Sequence, residues 1–209
     1  MTSTRAQPSP GRDDAPDAAP NAWLVRHGET EWARDGRHTG RTDIPLTEAG
    51  ERQARDVGVK LHGHRFALVL SSPLTRALET ARLAGVGDVA ETDPDLMEWD
   101  YGDYEGLTSA QIRERRPGWS LWRDGVPGGE TIDLVAARCD RVVARVRAAS
   151  GDVLLFAHGH LLRVLAARWL ELPPVDGRHF ALSTATVSEL GWERETPVIE
   201  RWNEASGTA

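Results

Sequence analysis

Of the 25 lysine and arginine residues in this chain only one, Lys60, is a lysine. Positive charge here is almost entirely guanidinium, which is planar, charged at any working pH and suited to forked contacts with oxyanions. Cysteine is as scarce. The lone Cys139 excludes an internal disulfide framework and agrees with a reducing compartment. Its apolar neighbours recur at helical spacing, so it reads as a helix-packing residue. No apolar run approaches the roughly 18 residues needed to cross a bilayer. The amino terminus has neither an apolar signal core nor a lipidation motif, so the cytoplasm is the expected location and no membrane partner is expected. A basic excess is missing too, and the net charge of −7 argues against nucleic acid as a partner. What remains is a chain of 209 residues, 40% of them hydrophobic, the size of one domain with a full core.

Residues 1–21 are rich in proline, alanine, aspartate and serine and hold no aliphatic side chain larger than alanine. They cannot repay the entropy of ordering and are expected to form a disordered tail. Residues 22–204 are then the single domain and 205–209 a short carboxy-terminal tail. Within the domain, short apolar runs alternate with amphipathic stretches. Strands are expected at Ala22 to Val25, Phe66 to Ser72, near Val89 to Glu91, and at Asp152 to Ala157, whose continuous apolar run suits a strand covered on both faces. Helices are expected from about Thr47, from Pro73 behind a Ser72 cap to Gly85, after a Thr108–Gln111 capping box, around Ile132 to Val146, and through Leu170. The closing runs ATVSELGWE and PVIERWN read as a hairpin or two edge strands. This alternation predicts an α/β fold, a three-layer α/β/α sandwich with a mainly parallel central sheet, binding its ligand at the carboxyl ends of the strands.

Polar residues gather at those ends. Arg26 and His27 follow the first strand, Ser71, Ser72 and Arg76 the second, and His158 the strand DVLLFA. Cationic groups beside helix amino termini make an anion site, and phosphate suits the arginine forks. A neutral imidazole held so near phosphate is a candidate nucleophile, which points to His27. His158 would donate to the phosphoryl oxygens. Glu98, in LMEWDYG, is the candidate general acid, with Asp100 and Asp103 as rivals. Such chemistry requires no metal and no cofactor. A metal set of His27, His158 and His160 is the alternative, but no carboxylate is spaced to complete it and the two arginines would repel a dication.

The stretches LVRHGETEW with HTG, SSPLTRALETA, LMEWDYGDYEG and FAHGH, in this order, resemble the histidine phosphatase superfamily, in its phosphoglycerate-mutase-like branch, over roughly residues 22 to 202. The resemblance implies a phosphohistidine mechanism with His27 as nucleophile, Arg26, Arg76 and His158 as the phosphate pocket, and Glu98 as proton donor. It further implies substrate contacts at Gly28, Thr39, Gly40, Tyr101 and Gly159. The mutases have asparagine where this chain has Ala33, lysine where it has Ser109, and a longer basic insertion before the second histidine. Those departures argue against mutase activity. The stretches EWDYGDYEG, WSLWRDG, GGET and FAHGHLLR are more similar to sedoheptulose-bisphosphatase-like members. By that analogy the substrate is a sugar phosphate or bisphosphate, with His160, Trp122 and Arg123 on its sugar side. The expected partner is thus a small phosphorylated metabolite, and a homodimer is compatible with the chain.

Other side chains have plainer readings. Trp169, Trp192 and Trp202 are expected in core or sheet packing, Trp23 and Trp32 around the nucleophile loop, and Trp119 and Trp122 either in packing or over the ligand. His62, His64 and His179 read as exposed. So do Arg37, Arg41 and the arginines of the RERR run at 113–116, one of which could meet a second phosphate.

Overall fold

In the computed structural model, which describes residues 19–205, six strands form one sheet in the order β3-β2-β4-β1-β5-β6. The strands are β1 (Ala22–Arg26), β2 (Leu68–Ser71), β3 (Ala90–Thr92), β4 (Val153–Ala157), β5 (Thr186–Glu193) and β6 (Thr196–Ala205). The pairs β3–β2, β2–β4 and β4–β1 are parallel, and β5 and β6 close the sheet as an antiparallel hairpin. β4 lies at the centre and all five of its residues are buried, as its unbroken apolar run predicts.

Alternation along the strands sorts two cores. Ala22, Leu24, Val153, Leu155 and Ala157 face one side with residues of α6 (Ile132–Arg147) and α7 (Gly159–Trp169). Trp23, Val25, Leu154 and Phe156 face the other with Val57 and Leu61 of α2 (Glu48–Leu61) and Ala81 of α3 (Thr75–Leu83). The helix periods responsible are those of the sequence. Ala54, Val57 and Leu61 are buried on α2, and Val135, Cys139, Val142, Val143 and Val146 on α6. Three smaller helices, α1 (Glu31–Arg34), α4 (Ser109–Arg115) and α5 (Leu121–Asp124), shape the loops above the strand ends. The Thr108–Gln111 capping box that opens α4 has both of its halves in place.

Several expectations need correction. α3 begins at Thr75, two residues later than the Pro73 start, because Leu74 is extended; the Ser72 hydroxyl accepts from Leu74 N–H at 3.3 Å and so caps the turn before the helix, while also bonding His158. β2 is shorter than Phe66 to Ser72. Pro20 and Asn21, assigned to the tail, are buried. Asn21 donates to Glu189 and Asp152, and Trp192 donates to the Pro20 carbonyl. At the other end Ala205 completes β6. The rest of both expected tails, 1–18 and 206–209, lies outside the described residues. Trp23 is not at the nucleophile loop but under His64 and Phe66, with ring centroids 4.3 and 5.7 Å away. Trp32 packs on Gly106, and Trp169 and Trp192 pair at 5.1 Å beneath the Arg147 guanidinium.

Candidate active site

Because β2, β4 and β1 are neighbours, their carboxyl ends deliver Ser72, His158 and His27 side by side. The ladder runs one residue past each strand. His27 N–H donates to the Ala157 carbonyl at 3.0 Å and Ser72 N–H to the Phe156 carbonyl at 2.9 Å. The His27 and His158 rings then lie 5.2 Å apart.

His27 is 4% exposed, and its Nδ1 lies 2.8 Å from the Gly28 carbonyl oxygen. A carbonyl only accepts, so Nδ1 carries the proton and Nε2 the lone pair. Burial, then the charges of Arg76 and Arg26, hold the ring well below the usual imidazole value, against the pull of the Gly28 carbonyl. His27 is therefore neutral, with its lone pair on Nε2. The turn behind it is fixed by backbone contact. Gly28 N–H donates to Thr80 Oγ1 at 3.0 Å, and a Cβ at Gly28 would stand 2.4 Å from the Gly50 carbonyl oxygen of α2.

Arg76 is fully buried, and four of its five N–H groups are taken by protein acceptors. Nε donates to His158 Nδ1 at 3.1 Å, Nη1 to the Thr42 carbonyl, and Nη2 to the Thr39 and Gly40 carbonyls. It braces the 39–42 loop from below, helped by Glu105, whose Oε1 accepts from Gly40 and Thr42 N–H. The bond from Arg76 fixes the His158 proton on Nε2, which donates to Ser72 Oγ at 2.7 Å. Both nitrogens of His158 are engaged, which leaves the metal alternative without a ligand there. Among the described residues no three His, Cys, Asp or Glu side chains cluster to hold a metal ion.

Above this floor opens a cavity of about 320 Å³. Arg26, His27, Glu98 and Gly159 line its inner end. Arg26 gives Nη1 to the Leu182 carbonyl, and its buried Nε has no hydrogen-bond partner among the described residues. Gly159, the first residue of α7, lets that guanidinium approach: a Cβ there would lie 3.3 Å from Arg26 Cζ. Glu98 is 4% exposed. Its Oε1 accepts from Trp99 and Leu161 N–H and its Oε2 from His160 N–H, at 2.9 to 3.0 Å. The segment that carries it is pinned by Arg138, which pairs bidentately with Glu130 at 2.9 Å and donates to the Asp95 and Met97 carbonyls. Asp100 and Asp103 are absent from the cavity wall, and Asp100 instead caps its own turn at Gly102 N–H.

The outer wall is aromatic and basic. Tyr101, His160, Trp119 and Trp122 line it, as do Thr39 and His38. Trp119 packs and lines at once, 3% exposed with Nε1 donating to the Gly125 carbonyl. Arg163 stacks over Trp122 at 4.8 Å, and Arg37 and Arg113 stand at the mouth. Arg76 and His158, expected in the phosphate pocket, lie in the floor and do not line the cavity, and three expected substrate contacts do not reach it either. Arg123 is exposed and folds back onto Asp124 and the Gly118 carbonyl, while Gly28 and Gly40 act through backbone packing. Arg41 pairs with Glu130 at 3.3 Å. Reading the sequence missed His38 and Arg163. Both stood in quoted motifs, His38 in HTG and Arg163 at the end of FAHGHLLR, where an arginine on an exposed helix face would fit equally.

A mainly parallel α/β sheet with a neutral buried histidine, an arginine donor without a partner among the described residues, and a carboxylate around one cavity defines a phosphoryl-handling protein. The chain belongs to the histidine phosphatase superfamily (branch 1), whose family model matches residues 22–205. It is 45% identical over 174 residues to the acid phosphatase of Mycobacterium tuberculosis, covering 81% of this chain and 85% of that one. To the sedoheptulose 1,7-bisphosphatase of Saccharomyces cerevisiae it is 35% identical over 189 residues, covering 75% and 70%. The solved structure of a Mycobacterium tuberculosis open reading frame superposes with a TM-score of 0.86 at 41% identity, covering 90% of this chain and 99% of that one.

Proposed function

We propose that this protein is a phosphomonoesterase that cleaves a sugar phosphate or bisphosphate through a phosphohistidine on His27. His27 Nε2 attacks phosphorus, the P–O ester bond breaks, and the leaving oxygen takes a proton from Glu98 in its acid form. Water then attacks the phosphohistidine, Glu98 recovers a proton, and inorganic phosphate departs with His27 neutral again. Arg26 Nε and the α7 amino terminus at Gly159 hold the phosphoryl oxygens, with the buried charge of Arg76 beneath them. His158 adds its Nε2–H when phosphate replaces Ser72 as its acceptor.

The observation that carries this reading is the neutral His27, its Nδ1 proton on the Gly28 carbonyl and its lone pair on Nε2, beside a buried arginine donor without a partner among the described residues. Hydrolysis is favoured over transfer between two positions of one substrate because Ala33 and Ser109 line the cavity with a methyl and a hydroxyl where the mutases have an amide and an ammonium group. A sugar phosphate is favoured by the aromatic wall. Arg37 and Arg113 at the mouth suit a second anionic group. The relatives named for acid phosphatase and sedoheptulose 1,7-bisphosphatase activities agree with a phosphate ester substrate.

The test is phosphate release from a panel of sugar phosphates, sugar bisphosphates, phosphoglycerates and nucleotides in the presence of EDTA, with His27→Ala protein as the blank. Fast release from a sugar phosphate, lost in the variant, is expected. Preference for a nucleotide, or turnover that survives the substitution, would contradict the reading.

A further inference from the structure

On the outer wall of the cavity two histidines present opposite faces of the imidazole chemistry. His38, 8% exposed, has Nδ1 2.8 Å from the Leu107 carbonyl oxygen, so the proton is on Nδ1 and Nε2 is a bare acceptor. At His160 the order is reversed. Its Nδ1 lies 2.6 Å from the Tyr101 hydroxyl. Tyr101 is 2% exposed and has no other hydrogen-bond acceptor among the described residues, so its O–H donates to Nδ1 and the His160 proton goes to Nε2. The two rings are parallel within 6°, their centroids 6.2 Å apart, and both line the cavity.

Burial keeps both rings neutral, pushing His38 below the usual imidazole value and His160 well below it, and burial raises the Tyr101 hydroxyl well above its own. The donor and the acceptor therefore persist together through neutral pH. An alcohol hydroxyl satisfies such a pair, because it donates and accepts at once. A phosphate or carboxylate oxygen only accepts, and would set its lone pairs against His38 Nε2. The place is close to the reacting ester, since the backbone N–H of His160 is bonded to Glu98 Oε2 at 3.0 Å.

We propose that His38 and His160 form a specificity pair that reads a free hydroxyl next to the phosphoester, His160 Nε2–H donating to it and His38 Nε2 accepting from it. The inference rests on the phosphatase reading and narrows it to esters of polyols and sugars with a hydroxyl vicinal to the ester carbon. Tyr101 is a positioning residue, acting through the tautomer of His160.

Two measurements test it. The first is the ¹⁵N spectrum of histidine-labelled protein at neutral pH, with signals assigned through the His38→Gln and His160→Gln variants. Nδ1–H at His38 and Nε2–H at His160 are expected, and the same tautomer at both, or a cation at either, would overturn the pair. The second is competitive inhibition of p-nitrophenyl phosphate hydrolysis by glycerol 3-phosphate and by 3-hydroxypropyl phosphate, which differ in the vicinal hydroxyl alone. The wild-type protein is expected to prefer glycerol 3-phosphate by about tenfold or more, as sites built to bond a hydroxyl do. The preference should fall towards unity in His160→Phe and Tyr101→Phe and return in part in His160→Gln, which keeps a donor. A wild-type preference below about threefold, with p-nitrophenyl phosphate still turned over, would overturn this inference and leave the phosphatase reading intact. Absence of p-nitrophenyl phosphate turnover would instead overturn that reading.

Discussion

His27 can attack phosphorus only while Nε2 is unprotonated, and the Gly28 carbonyl and burial together keep it so. The same burial has a cost in acid. His27, His38, His158 and His160 all have folded-state values below the usual 6.5, so an unfolded chain takes up protons near that value while the folded one refuses them. Their contribution to stability is full above 6.5 and is lost as pH falls from there towards each folded-state value. The melting temperature should therefore drop on acidification below 6.5, and a flat or rising curve by calorimetry would contradict the burial described here. Glu98 makes a second prediction. Glu98→Gln should slow alkyl phosphates, whose leaving oxygen needs a proton, at least tenfold more than p-nitrophenyl phosphate; equal slowing in steady-state assays would remove it as the acid. At this scale the sequence was informative where chemistry demands a residue type at a strand end, as at Arg26, His27 and His158. It was poor where a side chain serves through a partner far along the chain, as Tyr101 does with His160 and Arg76 with Thr39, Gly40 and Thr42.

Among elements, the segment from Asp95 to Asp100 shows how a loop is made rigid without regular structure. Arg138 on α6 binds two of its carbonyls and the Glu130 carboxylate, Glu130 accepts from Asp100 N–H, and Trp99 Nε1 donates to the Glu130 carbonyl. Removing Arg138 takes one donor from the Asp95 and Met97 carbonyls and leaves Glu130 only Arg41 and Asp100 N–H. Arg138→Met is predicted to cost about 3 kcal/mol in urea unfolding and to lower kcat more than it raises KM, because it loosens Glu98 rather than a binding contact. An unchanged kcat would show that the acid needs no such brace. This network was invisible in the sequence, where nothing in the run from Ile132 to Val146 names the partners of Arg138. The α3 start was misread for a related reason. Ser72 before Pro73 has the pattern of a helix cap and its hydroxyl does accept from Leu74 N–H, but the same hydroxyl also holds His158 across the sheet, and the extended Leu74 delays the helix to Thr75.

For the whole molecule, the order β2-β4-β1 matters most. The crossover that inserts β4 between β2 and β1 brings together residues 27, 72 and 158, which no local pattern could join. Alternating strands and helices were enough to predict the layered fold, since each strand period and helix period points to its own core. The loops above the sheet were not, because their shape depends on contacts such as Arg163 over Trp122 and Glu105 under the 39–42 loop. Backbone crowding between β1 and α2 gives a test at this scale: Gly28→Ala should destabilise the fold by about 1 to 3 kcal/mol, read by urea unfolding, because its Cβ meets the Gly50 carbonyl at 2.4 Å. The central claim, phosphoryl transfer to His27, is tested most directly by rapid quenching of the protein mixed with ³²P-labelled substrate, followed by mapping of the labelled peptide. Acid-labile, alkali-stable label on the peptide containing His27, absent from His27→Ala, is the predicted result. Label on another residue, or turnover with no labelled protein at any quench time, would contradict it.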